Sequence, residues 1–321
     1  GTVGSWGKPA TVAGDILQQN KELANVLANG VAQWWFDVGA NRYDAPPLME
    51  RIGELVKTAD VTGGLDRSPA DEVAFVVDEK SLCWLQTGHP LGAQLLVSQL
   101  PELQRLGAPV GHYLSSDLER LQRHRLIILP TSFAPSPADL RALDALKADG
   151  RVIVFLYAPG VATDSTIDAG NAARFCGIKL RQLAGESALL VTLKPGDDPG
   201  FPDTMTYGTG AVTRPVFVAD DPDCTVLGTL PAGSPGLVIK DMGTWSAVFS
   251  AAPMLPHTIW RELARRARVH LYIDTPDVVW ASRDLLGVCV DQAGERTIRL
   301  PRTAVVTDLY DGREWRPAAD S

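Results

Sequence analysis

What the sequence has little of narrows its chemistry first. Cysteine is scarce: Cys83, Cys176, Cys224 and Cys289 are four residues in 321, far apart and with no CxxC pair. That spacing excludes a zinc framework. The apolar neighbours of each predict buried free thiols, which fit a reducing compartment such as the cytoplasm. Histidine is equally thin. His89, His112, His124, His257 and His270 stand alone, without HxH or HxxxH spacing, so no metal site is expected. No apolar run is long enough to span a membrane. Basic residues cluster only at Arg261, Arg265, Arg266 and Arg268, on a predicted helix, in a chain of net charge −8. The quartet reads as a solvated or interface face in preference to a phosphate site, and nothing suggests nucleic acid. No serine sits in a GxSxG elbow. Gly208-Thr209-Gly210 is not a phosphate loop, because no Gly-Lys-Ser/Thr follows it. No cofactor is therefore expected. Asp220-Asp221-Pro222-Asp223 has the composition of a calcium loop but reads better as a solvated acidic turn. There is no signal peptide and no initiator Met, so Gly1-Thr2-Val3-Gly4 reads as a processing scar or an arbitrary cut.

What is present has the composition of a globular protein, 45% hydrophobic and 21% charged. The length suggests two domains, with a fragment of a third. Residues 11–29 predict a helix stopped by Asn29-Gly30, followed by a strand at Val31–Phe36 and a helix from Pro46 to about Thr58. A linker composition occupies 60–71. A longer α/β run then begins. Val73–Val77, Val110–Leu114, Leu126–Leu129 and Val152–Leu156 read as strands, with helices over 91–106 and 137–148. Continuous apolar strands of this kind are expected where both sheet faces are covered. Four such strands alternating with helices indicate an open, doubly wound sheet. Residues 161–255 carry short β segments, among them Val216–Val218, Leu237–Ile239 and Ala247–Phe249. A helix from Pro256 and a strand at Val269–Tyr272 follow. Beyond Val278 the pattern is one of short antiparallel strands.

Several stretches carry a family likeness. Trp34-Trp35-Phe36-Asp37 is similar to the end of the last barrel strand of the glycoside hydrolase family 42 β-galactosidases. Glu72 to Ser81 resembles the opening strand of their trimerisation domain. Gly107-Ala108-Pro109 with Tyr113-Leu114 and Asp117-Leu118 resembles its second unit, and Ala158-Pro159-Gly160 the turn after its fourth strand. Val269-His270-Leu271-Tyr272, Ile298-Arg299-Leu300-Pro301 and Val306 to Gly312 look like the tail. The resemblance implies the C-terminal half of such an enzyme. Residues 1–62 would be the end of a TIM (β/α)8 barrel, strand 8 with flanking helices. Residues 70–274 would be a flavodoxin-like, class I glutamine-amidotransferase-like doubly wound domain that serves trimerisation. Residues 275–321 would be a small antiparallel β domain.

The parent reaction implied is retaining hydrolysis of a β-galactoside or related β-glycoside by two glutamates. None occurs before Glu22, which lies in a helix pattern, so no catalytic residue is expected in this chain. Barrel sites lie at the C-terminal strand ends. Trp34, Trp35 and Asp37 are therefore the substrate-binding candidates: an indole can stack on a sugar ring, while Asp37 reads as a loop anchor. Side chains alternate along a strand, so one tryptophan would face the barrel and the other the helices. An amidotransferase reading fails, because the elbow Leu156-Tyr157-Ala158-Pro159-Gly160 holds no cysteine nucleophile. The partners expected are a carbohydrate, a missing barrel polypeptide or N-terminal segment, and further copies of the chain. A rival reading is a non-catalytic carbohydrate-binding or assembly module with Trp245, Trp280 and Trp315 as sugar platforms.

Overall fold

The computed structural model describes residues 9–36, 43–194, 200–202 and 204–316. The chain divides into two compact units, Gly1–Ala70 with Asp277–Ser321, and Asp71–Pro276. The first and third of the expected segments thus contribute to the same unit.

The first unit opens with helix α1 (Val12–Ala28), capped by the Thr11 hydroxyl accepting from the Gly14 N–H, and helix α2 (Pro46–Val61), with proline in its first turn. Their apolar faces meet through Leu23, Leu27 and Leu55, which pack with Leu285. Between them, residues 31–36 form no strand. This corrects the expected strand Val31–Phe36. A strand needs a neighbour for its backbone N–H and C=O groups, and the described part of this unit offers none there. Instead the Val31 N–H donates to Val26 at 3.0 Å, folding the chain back on α1. Asp37 lies outside the described residues.

The second unit is built on one nine-stranded sheet. Strand β1 (Val73–Val77) leads through α3 (Leu91–Leu96) and α4 (Leu100–Leu103) to β2 (Val110–Leu114). The expected continuous helix over 91–106 is broken. Pro101 has no N–H to continue the first segment, and it opens the second instead. After β3 (Leu126–Leu129), α5 (Pro137–Leu146) starts at a reciprocal Ser136/Asp139 cap and leads into β4 (Arg151–Leu156). Then come α6 (Ala172–Cys176), β5 (Leu180–Leu183), β6 (Ser187–Leu193), β7 (Thr206–Thr213), β8 (Val216–Ala219), β9 (Thr225–Thr229), β10 (Pro235–Asp241), β11 (Trp245–Ser250) and α7 (His257–Arg266).

The sheet order is β2-β1-β3-β4-β11-β10-β9-β6-β7. The first five strands run parallel and the rest pair antiparallel. Strands β5 and β8 form a separate ribbon. The core sits on the parallel half: β1, β3, β4 and β11 are buried almost throughout, as both-face coverage requires. Residues 269–272 are irregular where a strand was expected. Their N–H groups go elsewhere: Val269 to the Ala264 carbonyl, His270 to the Glu72 carboxylate and Tyr272 to the Gly107 carbonyl.

The chain's last segment, in the first unit, holds two short antiparallel pairs. Strand β12 (Val278–Ala281) pairs with β13 (Leu286–Cys289), and β14 (Val306–Thr307) with β15 (Glu314–Trp315). Residues 296–300, part of the stretch beyond Val278 that was expected to hold short strands, are irregular. No described helix is long and apolar enough to cross a membrane.

Candidate functional site

In open α/β sheets, ligands bind beyond the carboxyl ends of the parallel strands. That edge is where the second unit has a cavity, of about 130 Å³. Its floor is fixed by the loops after β1 and β3. Asp78, 2% exposed, accepts from the Lys80 N–H at 3.2 Å and the Ser81 hydroxyl at 2.5 Å. The Ser81 oxygen in turn accepts from the N–H groups of Phe133 and Ala134, at 2.9 and 3.0 Å. The Thr131 hydroxyl accepts the Asp78 N–H at 3.1 Å. These bonds place Phe133 in the cavity wall. Buried polar groups of this kind hold a loop rigid when every member is satisfied.

The next wall comes from β4. The strand ends on Tyr157 at φ +63°, a left-handed conformation that a bulky residue adopts only when its surroundings force it. The Tyr157 N–H is held by the Ser250 carbonyl at 2.8 Å. Its ring meets Phe133 and Phe217 edge-on, with centroids 5.7 and 6.0 Å apart. Its hydroxyl donates to the Pro215 carbonyl at 2.7 Å, and burial pushes the phenol well above the usual tyrosine range. The elbow shape is therefore present without a nucleophile. Tyr157 stays protonated, and its oxygen is already engaged. His89, also in the wall, uses Nε2 on the Val212 carbonyl at 3.0 Å and Nδ1 on the Leu91 N–H at 3.2 Å. Among the described residues no Asp, Glu or Cys lines the cavity. The arrangement can bind, and the polar atoms of His89 and Tyr157 in its wall are engaged by the protein itself.

The sequence candidates are distributed differently. Trp35 is half-buried and donates its indole N–H to the Gln19 side chain on α1 at 2.6 Å. Trp34 is 75% exposed, with its ring against Phe36 at 5.1 Å. The two indoles diverge as alternation predicts, one toward a helix and one to solvent, even though the backbone is not a strand. Trp34→Ala should therefore leave the urea midpoint of the chain unchanged. Trp35→Ala should lower the stability of the first unit by about 1–2 kcal/mol, since it removes both packing and the partner of a buried amide. Equilibrium unfolding of the two variants checks this, and equal effects would show that Trp35 is not anchored.

Other candidates resolve into structural roles. Asp221 accepts from the Lys179 N–H at 3.0 Å and from Lys240 at 2.9 Å, so the acidic turn is occupied by protein donors. Among the described residues no cluster of His, Cys, Asp and Glu could hold a metal. Arg261 is buried and donates to four main-chain carbonyls. Arg266 bonds Glu262 at 3.0 Å and lies over Phe201, so the arginine quartet is not one open anion patch. Trp245 is 6% exposed and leaves the list of sugar platforms, whereas Trp315 is 49% exposed. The expectation of four buried thiols holds only at Cys176: Cys83 is exposed, and Cys224 and Cys289 are half-buried. Cys176 is buried, and burial pushes its thiol up to about 12.

One constellation escaped the sequence. The Asp71 carboxylate accepts from Tyr113 and His124, both at 2.7 Å, and from Arg123 at 2.8 Å. Burial and the Asp71 bond push the Tyr113 phenol up to about 12. Carboxylate, imidazole and phenol together have the look of a catalytic set. Yet Asp71 and His124 precede β1 and β3, so the cluster sits at the amino ends of the strands, away from the cavity edge. Asp71 lies 42 or more residues from its three partners, and no spacing signals the cluster.

The second unit is thus a large mixed α/β sheet with a small aromatic cavity at the carboxyl ends of its parallel strands. Its chain is similar to solved β-galactosidases. The β-galactosidase of Bacillus circulans sp. alkalophilus matches with a TM-score of 0.61 and 16% identity over 84% of this chain. A catalytic mutant of a GH42 β-galactosidase from G. stearothermophilus matches with a TM-score of 0.66 and 17% identity over 94%. A β-galactosidase from Rahnella sp. R3 gives 0.61 and 17% over 85%. The chain spans 43%, 48% and 45% of the length of these three proteins. No protein-family model and no curated protein matches the sequence. At such identities the likeness establishes the fold: this chain has the fold of part of a family 42 β-galactosidase.

Proposed function

We propose that the chain is part of a retaining β-glycosidase of the β-galactosidase type, with both catalytic glutamates outside it. One observation carries the reading: the likeness covers 84–94% of this chain but less than half of each enzyme. In this reading residues 1–62 complete a barrel and 275–321 form a small β domain. Residues 70–274 are a flavodoxin-like, amidotransferase-like domain for homo-oligomer contacts, in a trimer. The order β2-β1-β3-β4-β11 supports it, since counted along the parallel strands this is the 2-1-3-4-5 order of flavodoxin-like sheets. The absence of any carboxylate from the cavity wall is consistent with a domain that assembles and does not catalyse. A retaining glycosidase needs two carboxyl groups about 5–5.5 Å apart across the scissile bond. Of the proposed sugar contacts, Trp34 with Phe36 has the free apolar faces, and Trp35 is the anchor.

The purified polypeptide should hydrolyse an aryl β-galactoside no faster than buffer. Activity should appear only with a polypeptide that supplies the barrel glutamates. The intact masses in the sample, read beside the assay, tell the cases apart. Efficient turnover by a sample containing only this chain would refute the proposal.

A further inference from the structure

The cavity of the second unit has a chemistry of its own. Its aromatic walls are fixed before any ligand arrives, because Tyr157 is locked between Phe133 and Phe217 and tied to Pro215. Its volume of about 130 Å³ is small. An apolar cavity of about 150 Å³ holds one benzene, whereas drug-sized ligands need about 300 Å³ or more. Two large apolar side chains stand exposed at the rim, Trp84 at 41% and Ile167 at 49%. Beside them Arg214 is exposed, and its guanidinium makes no hydrogen bond or ion pair with any described residue. An unpaired guanidinium at the mouth of an aromatic cavity suits a planar anion, which it can grip with two parallel N–H groups.

A sugar fits this cavity poorly. A pyranose carries hydroxyls around its whole ring, and each needs a partner once desolvated. Of the polar wall groups, His89 has both nitrogens engaged and the Thr213 hydroxyl donates to the Ala211 carbonyl at 3.2 Å. Among the described residues Arg214, Gln86 and the indole N–H of Trp84 are left to answer. A flat ring with a single carboxylate asks for no more.

We propose that this cavity is a binding site for a small monocyclic carboxylate of the benzoate type, with its ring against the wall of Phe133, Tyr157 and Phe217 and its carboxylate on Arg214. The test is fluorine NMR of fluorobenzoate with the full chain, displaced by benzoate, with benzyl alcohol and galactose as competitors. Saturable binding is expected, displaced by benzoate and not by galactose. Arg214→Gln, at an exposed position, should weaken fluorobenzoate at least about tenfold, the loss of one charge-assisted pair. The same variant should leave benzyl alcohol unaffected. Ile167→Trp should weaken both by filling the mouth. No saturable binding, binding indifferent to Arg214→Gln, or displacement by galactose in preference to benzoate would each overturn the assignment. None of these outcomes depends on whether the chain belongs to a glycosidase.

Discussion

Arg261→Ala should lower the urea midpoint of the second unit sharply, with a loss of about 3 kcal/mol or more at unchanged m-value. Arg261 projects from α7 and is 8% exposed. Its Nε donates to the Leu106 carbonyl at 3.0 Å, and its Nη2 to Arg105 at 2.9 Å and Thr275 at 2.7 Å. Its Nη1 donates to Asp274. The carbonyls at 105 and 106 end a helical segment, where no intrahelical donor remains. Removing the guanidinium leaves several half-buried acceptors without a partner, each worth about 1–3 kcal/mol if water cannot replace it. Gly107 shows how tight the junction is. At φ +99° its Cα faces the Ile273 backbone, and a Cβ there would lie 2.3 Å from the Ile273 oxygen. The returning segment 269–275 forms no strand, and this guanidinium helps to hold it together with the His270–Glu72 and Tyr272–Gly107 bonds. Arg261→Lys should recover only part of the loss, because one ammonium cannot present a fork to four carbonyls. A midpoint equal to wild type in the alanine variant would show that the segment is held elsewhere.

What the sequence could reveal of this fold depended on how local the cause was. Val73–Val77 and Leu126–Leu129 read directly as strands, since burial on both faces leaves a continuous apolar run. Helix α5 falls inside the predicted helix 137–148 and starts at the predicted residue, Pro137. By contrast, Ala247–Phe249, the middle of β11, was legible as a β segment but not as part of the fifth parallel strand. Its place beside β4 is set by long-range pairing across an insertion of antiparallel strands. The segment 31–36 misled because aromatic and β-branched residues signal a strand whether or not an edge is available to pair with it. The diverging tryptophans were legible, since alternation belongs to any extended chain. The cavity was not: Trp84, Phe133, Tyr157 and the pair Arg214 and Phe217 come from four separate stretches, and each alone reads as ordinary core or loop. The missing nucleophile at the elbow was visible in the letters, whereas the strained Tyr157 that replaces it needed the backbone.

Asp71→Asn should cost about 3 kcal/mol at neutral pH, a partner removed from a buried charged network, and the cost should fade in acid. In the folded chain the carboxyl of Asp71 is buried, which by itself would raise its pKa. The bonds from His124 and Tyr113 and the charge of Arg123 outweigh burial, and the net shift is downward. A depressed folded pKa fixes the sign. The stabilisation is complete above the unfolded value of about 3.9 and is lost as pH falls through the lower folded value. Wild type and variant should therefore differ fully at pH 7 and converge below about pH 3.9, a convergence that urea titrations at several pH values would follow. A gap that stays constant through that range would show that Asp71 is not held ionised by its three partners. The location of the cluster adds a second readout. It fastens the amino ends of β1 and β3, whereas the cavity opens at the carboxyl ends. Folded Asp71→Asn protein should thus bind fluorobenzoate as wild type does, although its stability is reduced. Joint loss of both would mean that the two ends of the sheet are coupled through the core between them.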